Sequence, residues 1–81
     1  MYSRVISNSI YTKKDLAEAR QAFSKYLDIK VLPLEPGQVN LIIKVKEELL
    51  SQKREVILEF FNYLLDVAIQ RNMGASANGQ H

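Results

Sequence analysis

The stretch EFFNYLLDVAIQ, Glu59 to Gln70, is apolar on too many sides for an ordinary surface helix. At ~100° per residue, the segment Val56 to Met73 keeps one narrow polar ribbon, made of Glu59, Asn62, Asp66 and Gln70. Apolar side chains fill the rest, an arc of roughly 240°, where a helix lying on a core needs only ~100° or somewhat more. Val56, Phe60, Tyr63, Leu64 and Val67 cover one side, and Ile57, Phe61, Leu65, Ala68 and Ile69 the other. In a chain of 81 residues with 47% hydrophobic content, one reading packs one side on the sheet and the other on the first helix. That helix has too few bulky residues to hide all that is left over. The excess points to an intermolecular surface, because soluble monomers seldom leave large apolar patches bare. Self-association, most often as a two-fold dimer, is its commonest form. We take Val56, Phe60, Phe61, Leu64, Leu65 and Ile69 as the candidate partner interface. Asn62 and Asp66, on the polar ribbon, are candidate recognition residues.

The rest of the chain supplies a small sheet for that helix to lie on. Val5, Ile6 and Ile10 make Ser3 to Ile10 a short strand. In YTKKDL, Thr12 is a natural N-cap and Asp15, three residues on, completes a capping box. Tyr11 and Leu16 occupy the positions of a hydrophobic staple, so a helix begins at Lys13. Leu16, Ala19, Phe23, Tyr26 and Leu27 carry its stripe to about Leu27.

IKVLPLEPGQVNLIIKV reads as a β-hairpin turning at Pro36-Gly37, the residues a type II turn wants at its centre. A type II turn twists poorly with a two-residue hairpin, which leaves a longer loop open. With a tight loop, Leu32, Leu34, Val39, Leu41 and Ile43 share the core face, and Ile29, Val31 and Ile42 project from the other. Pro33 has no N–H to give, which puts its strand at an edge or the proline at a bulge. The last helix starts between Glu47 and Lys53, with Ser51 as a candidate cap. It is expected to end near Met73, where Gly74 can adopt the left-handed terminating conformation. We therefore expect one α+β domain over residues 1–74 and a disordered tail at 75–81. Its order is β-α-β-β-α, a two-layer sandwich of a three-stranded mixed sheet and two helices.

Chemistry is harder to find than fold. The chain has no cysteine, and its one histidine, His81, sits in the expected tail without a rigid surround. Glu59 and Asp66 lie two turns apart on one face, with no histidine beside them to make a metal site. Three glycines, Gly37, Gly74 and Gly79, build no phosphate-cradling loop. We expect no enzyme activity, no metal and no cofactor. Net charge is +2, with the signs interspersed as in KVKEELLSQKRE, which argues against a nucleic-acid partner. A weak basic patch of Lys44, Lys46, Lys53 and Arg54 is diluted by Glu47, Glu48 and Glu55. Neither a glycine clamp of the KH type nor an aromatic-basic strand of the RRM type is present. No apolar run is long enough for a signal peptide core or a membrane span, so a cytoplasmic protein without a membrane partner is expected.

Two stretches resemble the small D component of the His-Xaa-Ser peptide-modification systems. The first is the helix start Tyr11-Thr12 followed by Ala19, Ala22 and Phe23. The second is Phe60-Phe61-Asn62-Tyr63-Leu64-Leu65-Asp66, with Arg71 at a later basic position. The resemblance follows the order of elements over roughly residues 5 to 73. It departs from the family where Ala22-Phe23 replaces a Tyr-x-Phe and where small polar residues follow Gly74. It implies a bacterial accessory protein, working beside radical-SAM enzymes on a repeat peptide without being the catalyst. The alternatives are a weak nucleic-acid-binding module and an enzyme subunit holding a ligand in the cleft between sheet and helices.

Overall fold

The computed structural model describes residues 2–79, with side chains described as far as Asn72. Strand β1 (Tyr2–Ser7) leads to helix α1 (Lys13–Ala22), then strands β2 (Leu27–Pro33) and β3 (Gln38–Val45). A 3₁₀ segment, Glu47–Gln52, feeds helix α2 (Lys53–Gly79). The fold is the expected α+β arrangement of three strands and two helices. The sheet is not mixed, however. Its order is β1-β3-β2 and both pairings are antiparallel. The reason is the crossover. Helix α1 carries the chain past an empty position, so β1 and β2 run the same way without touching, and β3 enters between them from the opposite direction.

The element boundaries have local causes. β1 stops at Ser7 because Ser7, Asn8 and Ser9 prefer a turn: the Ser9 N–H donates to Ser7 Oγ at 3.2 Å and the Tyr11 N–H to the Ser7 carbonyl at 3.1 Å. Ile10 is left outside the strand and exposed. The capping box is present: the Asp15 N–H donates to Thr12 Oγ1 and the Thr12 N–H to Asp15 Oδ2, both at 3.1 Å. α1 ends at Ala22, short of Leu27, because Leu27 is needed as the first core residue of β2. Ser51 lies inside the 3₁₀ segment and caps nothing. α2 does not end at Gly74 but continues to Gly79. An interior glycine costs a helix only about 1 kcal/mol against alanine, and alanines stand at positions 75 and 77. The side chains of the expected tail, residues 75–81, lie outside the described residues, and residues 80–81 lie outside them altogether.

The hairpin corrects one expectation. Gly37 has φ +88° and the Gln38 N–H donates to the Glu35 carbonyl, as a type II turn requires. Yet the Leu34 N–H donates to the Gln38 carbonyl, so the loop is three residues long. Leu32 then pairs with Asn40 and Val31 with Leu41. A one-residue shift sends every β2 side chain to the other face. Ile29 and Val31 therefore pack on the core, while Leu32 and Leu34 are exposed. The β3 phase stands as expected: Val39, Leu41 and Ile43 are buried, joined by Val45.

The core lies between the sheet and the helices. Ile6 of β1, Leu27 of β2 and the four β3 residues meet Leu16 and Ala19 of α1 and Ile57, Phe60 and Leu64 of α2. Phe60 is the centrepiece, fully buried, with Phe23 edge-on to it at 5.6 Å between ring centres. A second fastening joins the helices near the end of the described side chains. The Arg71 Nε donates to both Asp15 carboxylate oxygens at 3.1 Å, and Arg71 also reaches the Ile10 carbonyl.

Candidate docking surface beside the first strand

α1 leans toward β2, where Arg20 donates to the Ile29 carbonyl at the sheet margin. α2 leans the other way, over β1. Phe61 meets the Tyr2 ring edge-on at 6.1 Å, and the Arg4 guanidinium lies 4.7 Å above the Phe61 ring. β1 is a sheet edge with hydrogen-bonding groups free of any strand partner on its outer side. In a β-α-β-β-α-β fold, the place beside β1 is where a strand following α2 would come down. Among the described residues nothing occupies it.

The apolar arc of α2 can now be apportioned. Its inner third, Ile57, Phe60, Leu64 and Ala68, is buried on the sheet. Tyr63 and Val67 turn toward α1, with Tyr63 edge-on to Phe23 at 5.6 Å. The third that begins beside β1 at Leu58 and Phe61 is bare. Leu58 is 59% exposed and Leu65 and Ile69 are each 45% exposed, with half-buried Phe61 at their foot. Where this stripe meets β1, a shallow apolar cleft of about 500 Å³ lies among Tyr2, Arg4, Arg54, Ile57, Leu58 and Phe61. Arg4, Lys53 and Arg54 make its rim cationic.

The residues expected at a partner interface are thus split. Phe60 and Leu64 are fully buried in this chain's own core and have no surface to offer. Val56 is half-buried and packs on the core margin. Phe61, Leu65 and Ile69 share the bare stripe. Asn62 and Asp66 are exposed on the adjoining polar ribbon, where Gln70 donates to Asp66 at 3.2 Å. Leu58, Tyr2 and Arg4 also belong to this surface and were not anticipated. The helical wheel placed no weight on Leu58, which adjoins Glu59, and β1's side chains gave no sign of which helix they would meet.

Two other clefts gather polar side chains. A cleft of about 780 Å³ runs along β2 between Arg20, Gln21, Ser24, Ile29, Lys30 and Lys44. A second, of about 520 Å³, gathers Lys44, Lys46 and Lys53 with Asp28, Glu47 and Glu48. The anticipated basic patch is therefore matched acid for base there, while Arg54 stands apart on the β1 side. No group of three or more acidic, histidine or cysteine side chains gathers as a metal site among the described residues. The Asp15 carboxyl has a displaced pKa. Burial pushes it up, but the Arg71 guanidinium and the Thr12 hydrogen bonds outweigh that and hold it below its ordinary value. Its geometry fastens two helices and addresses no open cleft. No described helix is long and apolar enough to cross a membrane. No family model, curated protein or solved structure matches this chain.

Proposed function

We propose that this protein is a small interaction module that acts by docking and carries no catalytic chemistry of its own. One observation carries the reading: Leu58 and Phe61 line a cleft with Tyr2 and Arg4 of the edge strand β1, and exposed Leu65 and Ile69 continue the same face of α2. An edge strand supplies main-chain hydrogen bonds to an incoming strand, and an apolar stripe above it supplies burial for that strand's inward side chains or for a helix behind it. Each feature alone is common on a protein surface. Their adjacency makes a site. The cationic rim of Arg4, Lys53 and Arg54 adds orientation to it.

In the setting implied by the resemblance to the peptide-modification accessory proteins, the docked assembly serves radical-SAM enzymes acting on a repeat peptide. Asn62 and Asp66, bordering the stripe, are then the residues that discriminate among partners. Leu65→Glu tests the reading directly. The side chain is 45% exposed, so the variant folds with an unchanged circular dichroism spectrum. It loses partner capture and, at dilutions where the stripe is uncovered, the binding of an apolar fluorescent dye. Unaltered dye binding and unaltered partner capture in a folded Leu65→Glu variant refute the proposal.

A further inference from the structure

We infer that the occupant of the β1 edge is a second copy of this chain, joined by antiparallel β1–β1 pairing about a two-fold axis beside Val5. This deepens the docking reading and rests on it. The argument begins with register. In a continuous antiparallel sheet, residues directly opposite each other lie on the same face. Val5 and its odd-numbered neighbours Ser3 and Ser7 face away from the helices, while Tyr2, Arg4 and Ile6 face them. A two-fold axis must therefore pass beside one residue of β1, which then meets itself. Axes at Ser3 or Ile6 pair only three residues of the strand Tyr2–Ser7. An axis at Arg4 sets two guanidinium groups opposite each other, which costs stability. At Val5 the overlap is five residues, Ser3 to Ser7. Val5, 51% exposed on the outer face, meets the other Val5. Ser3 meets Ser7, and the stem of Arg4 lies against Ile6.

The same axis brings the helices together. An axis perpendicular to the sheet makes the β1 pair and the α2 pair antiparallel at once. Phe61 lies over Arg4, next to the axis, so the axis passes by the middle of the bare stripe. Leu58 of one copy then lies toward Leu65 and Ile69 of the other, and the stripe is covered by itself. Charge agrees with this orientation. Lys53 and Arg54 open α2, with Glu55 as the one acid beside them in the first turn. The antiparallel pair keeps the Lys53 and Arg54 of the two copies at opposite ends. A parallel pair stacks four cations together. The isologous contact needs no surface beyond one already bare, and it yields a six-stranded sheet whose only edges are the two β2 strands.

The chain contains no cysteine, so a single introduced thiol reports the register. Val5→Cys forms a disulfide-linked dimer under mild oxidation at micromolar concentration. Ser3→Cys alone does not, because its two sulfurs sit about 13 Å apart at the usual strand rise. Ser3→Cys mixed with Ser7→Cys cross-links again. Light scattering gives twice the chain mass for the native protein. In Val5→Lys the dimer dissociation constant rises by roughly 100-fold or more, since like charges set opposite each other across an interface strongly oppose association. A dimer that ignores Val5→Lys and leaves Val5→Cys uncross-linked overturns the inference. A monomer that binds the apolar dye and loses it in Leu65→Glu also overturns it, while leaving the docking reading intact. A monomer that binds no dye removes both.

Discussion

Asp15 serves two structures with one carboxylate. It returns the capping bond to Thr12 at the start of α1 and receives Arg71 from α2. Its side chain is 2% exposed, whereas Arg71 is 37% exposed. Removing Arg71 leaves a buried carboxylate with only its cap partners, so Arg71→Met lowers stability by about 2 kcal/mol, less than a wholly buried pair because water already reaches the guanidinium. Urea denaturation checks this as a lower midpoint with the slope unchanged. The pH dependence has a definite sign. The folded-state pKa of Asp15 lies below its ordinary value of 3.8. The ion pair thus contributes stability that is complete above that value and fades as pH falls through the lower, folded value. The gap between native protein and Arg71→Met is constant from neutral pH down to about pH 5 and closes in stronger acid. A gap that widened in acid would contradict this account of Asp15.

The elements differ in how much of them could be read from the chain, and the differences follow from range. The start of α1 was legible because a capping box is a four-residue affair between Thr12 and Asp15. The turn chemistry of Pro36-Gly37 was equally local. The β2 phase was not, because one extra loop residue, invisible to periodicity, turned Leu32 and Leu34 outward and Ile29 and Val31 inward. The surplus of α2 was plain in its sequence, but its apportionment was not. That Phe60 and Leu64 are core while Leu58 is bare depends on which strand the helix lies over, and no local signal encodes that. Two predictions follow for these elements. Phe60→Ala costs about 3–5 kcal/mol, since a fully buried ring is replaced by a cavity, and a chain of this size then unfolds near room temperature. Gly37→Ala costs only about 1 kcal/mol: a methyl at Gly37 meets nothing within 4 Å, and the penalty is the positive φ alone. Thermal unfolding with an unchanged native spectrum checks the second variant.

For the molecule as a whole, the division of labour runs across the sheet. β3 is the middle strand and carries the densest core, while both margins are left to different uses. The β2 margin is restrained by Arg20, which holds the Ile29 carbonyl, and by Pro33, which has no N–H to give. The β1 margin has an apolar helix stripe above it instead. If the two margins differ as described, hydrogen exchange distinguishes them. The β1 amides that face outward become protected as protein concentration rises through the association range, and those of β2 do not. Equal protection of both margins at every concentration would remove the distinction.

The central strand is the third to be made, and this has a consequence in time. β2 and β3 are joined by three residues and close on each other first, whereas β1 waits some 30 residues of chain for β3 to appear. The strand that offers the open margin is thus the last to settle and the first to let go. Substitutions in β1 therefore hasten unfolding while scarcely slowing folding, and a copy held at that margin lengthens the lifetime of the whole chain.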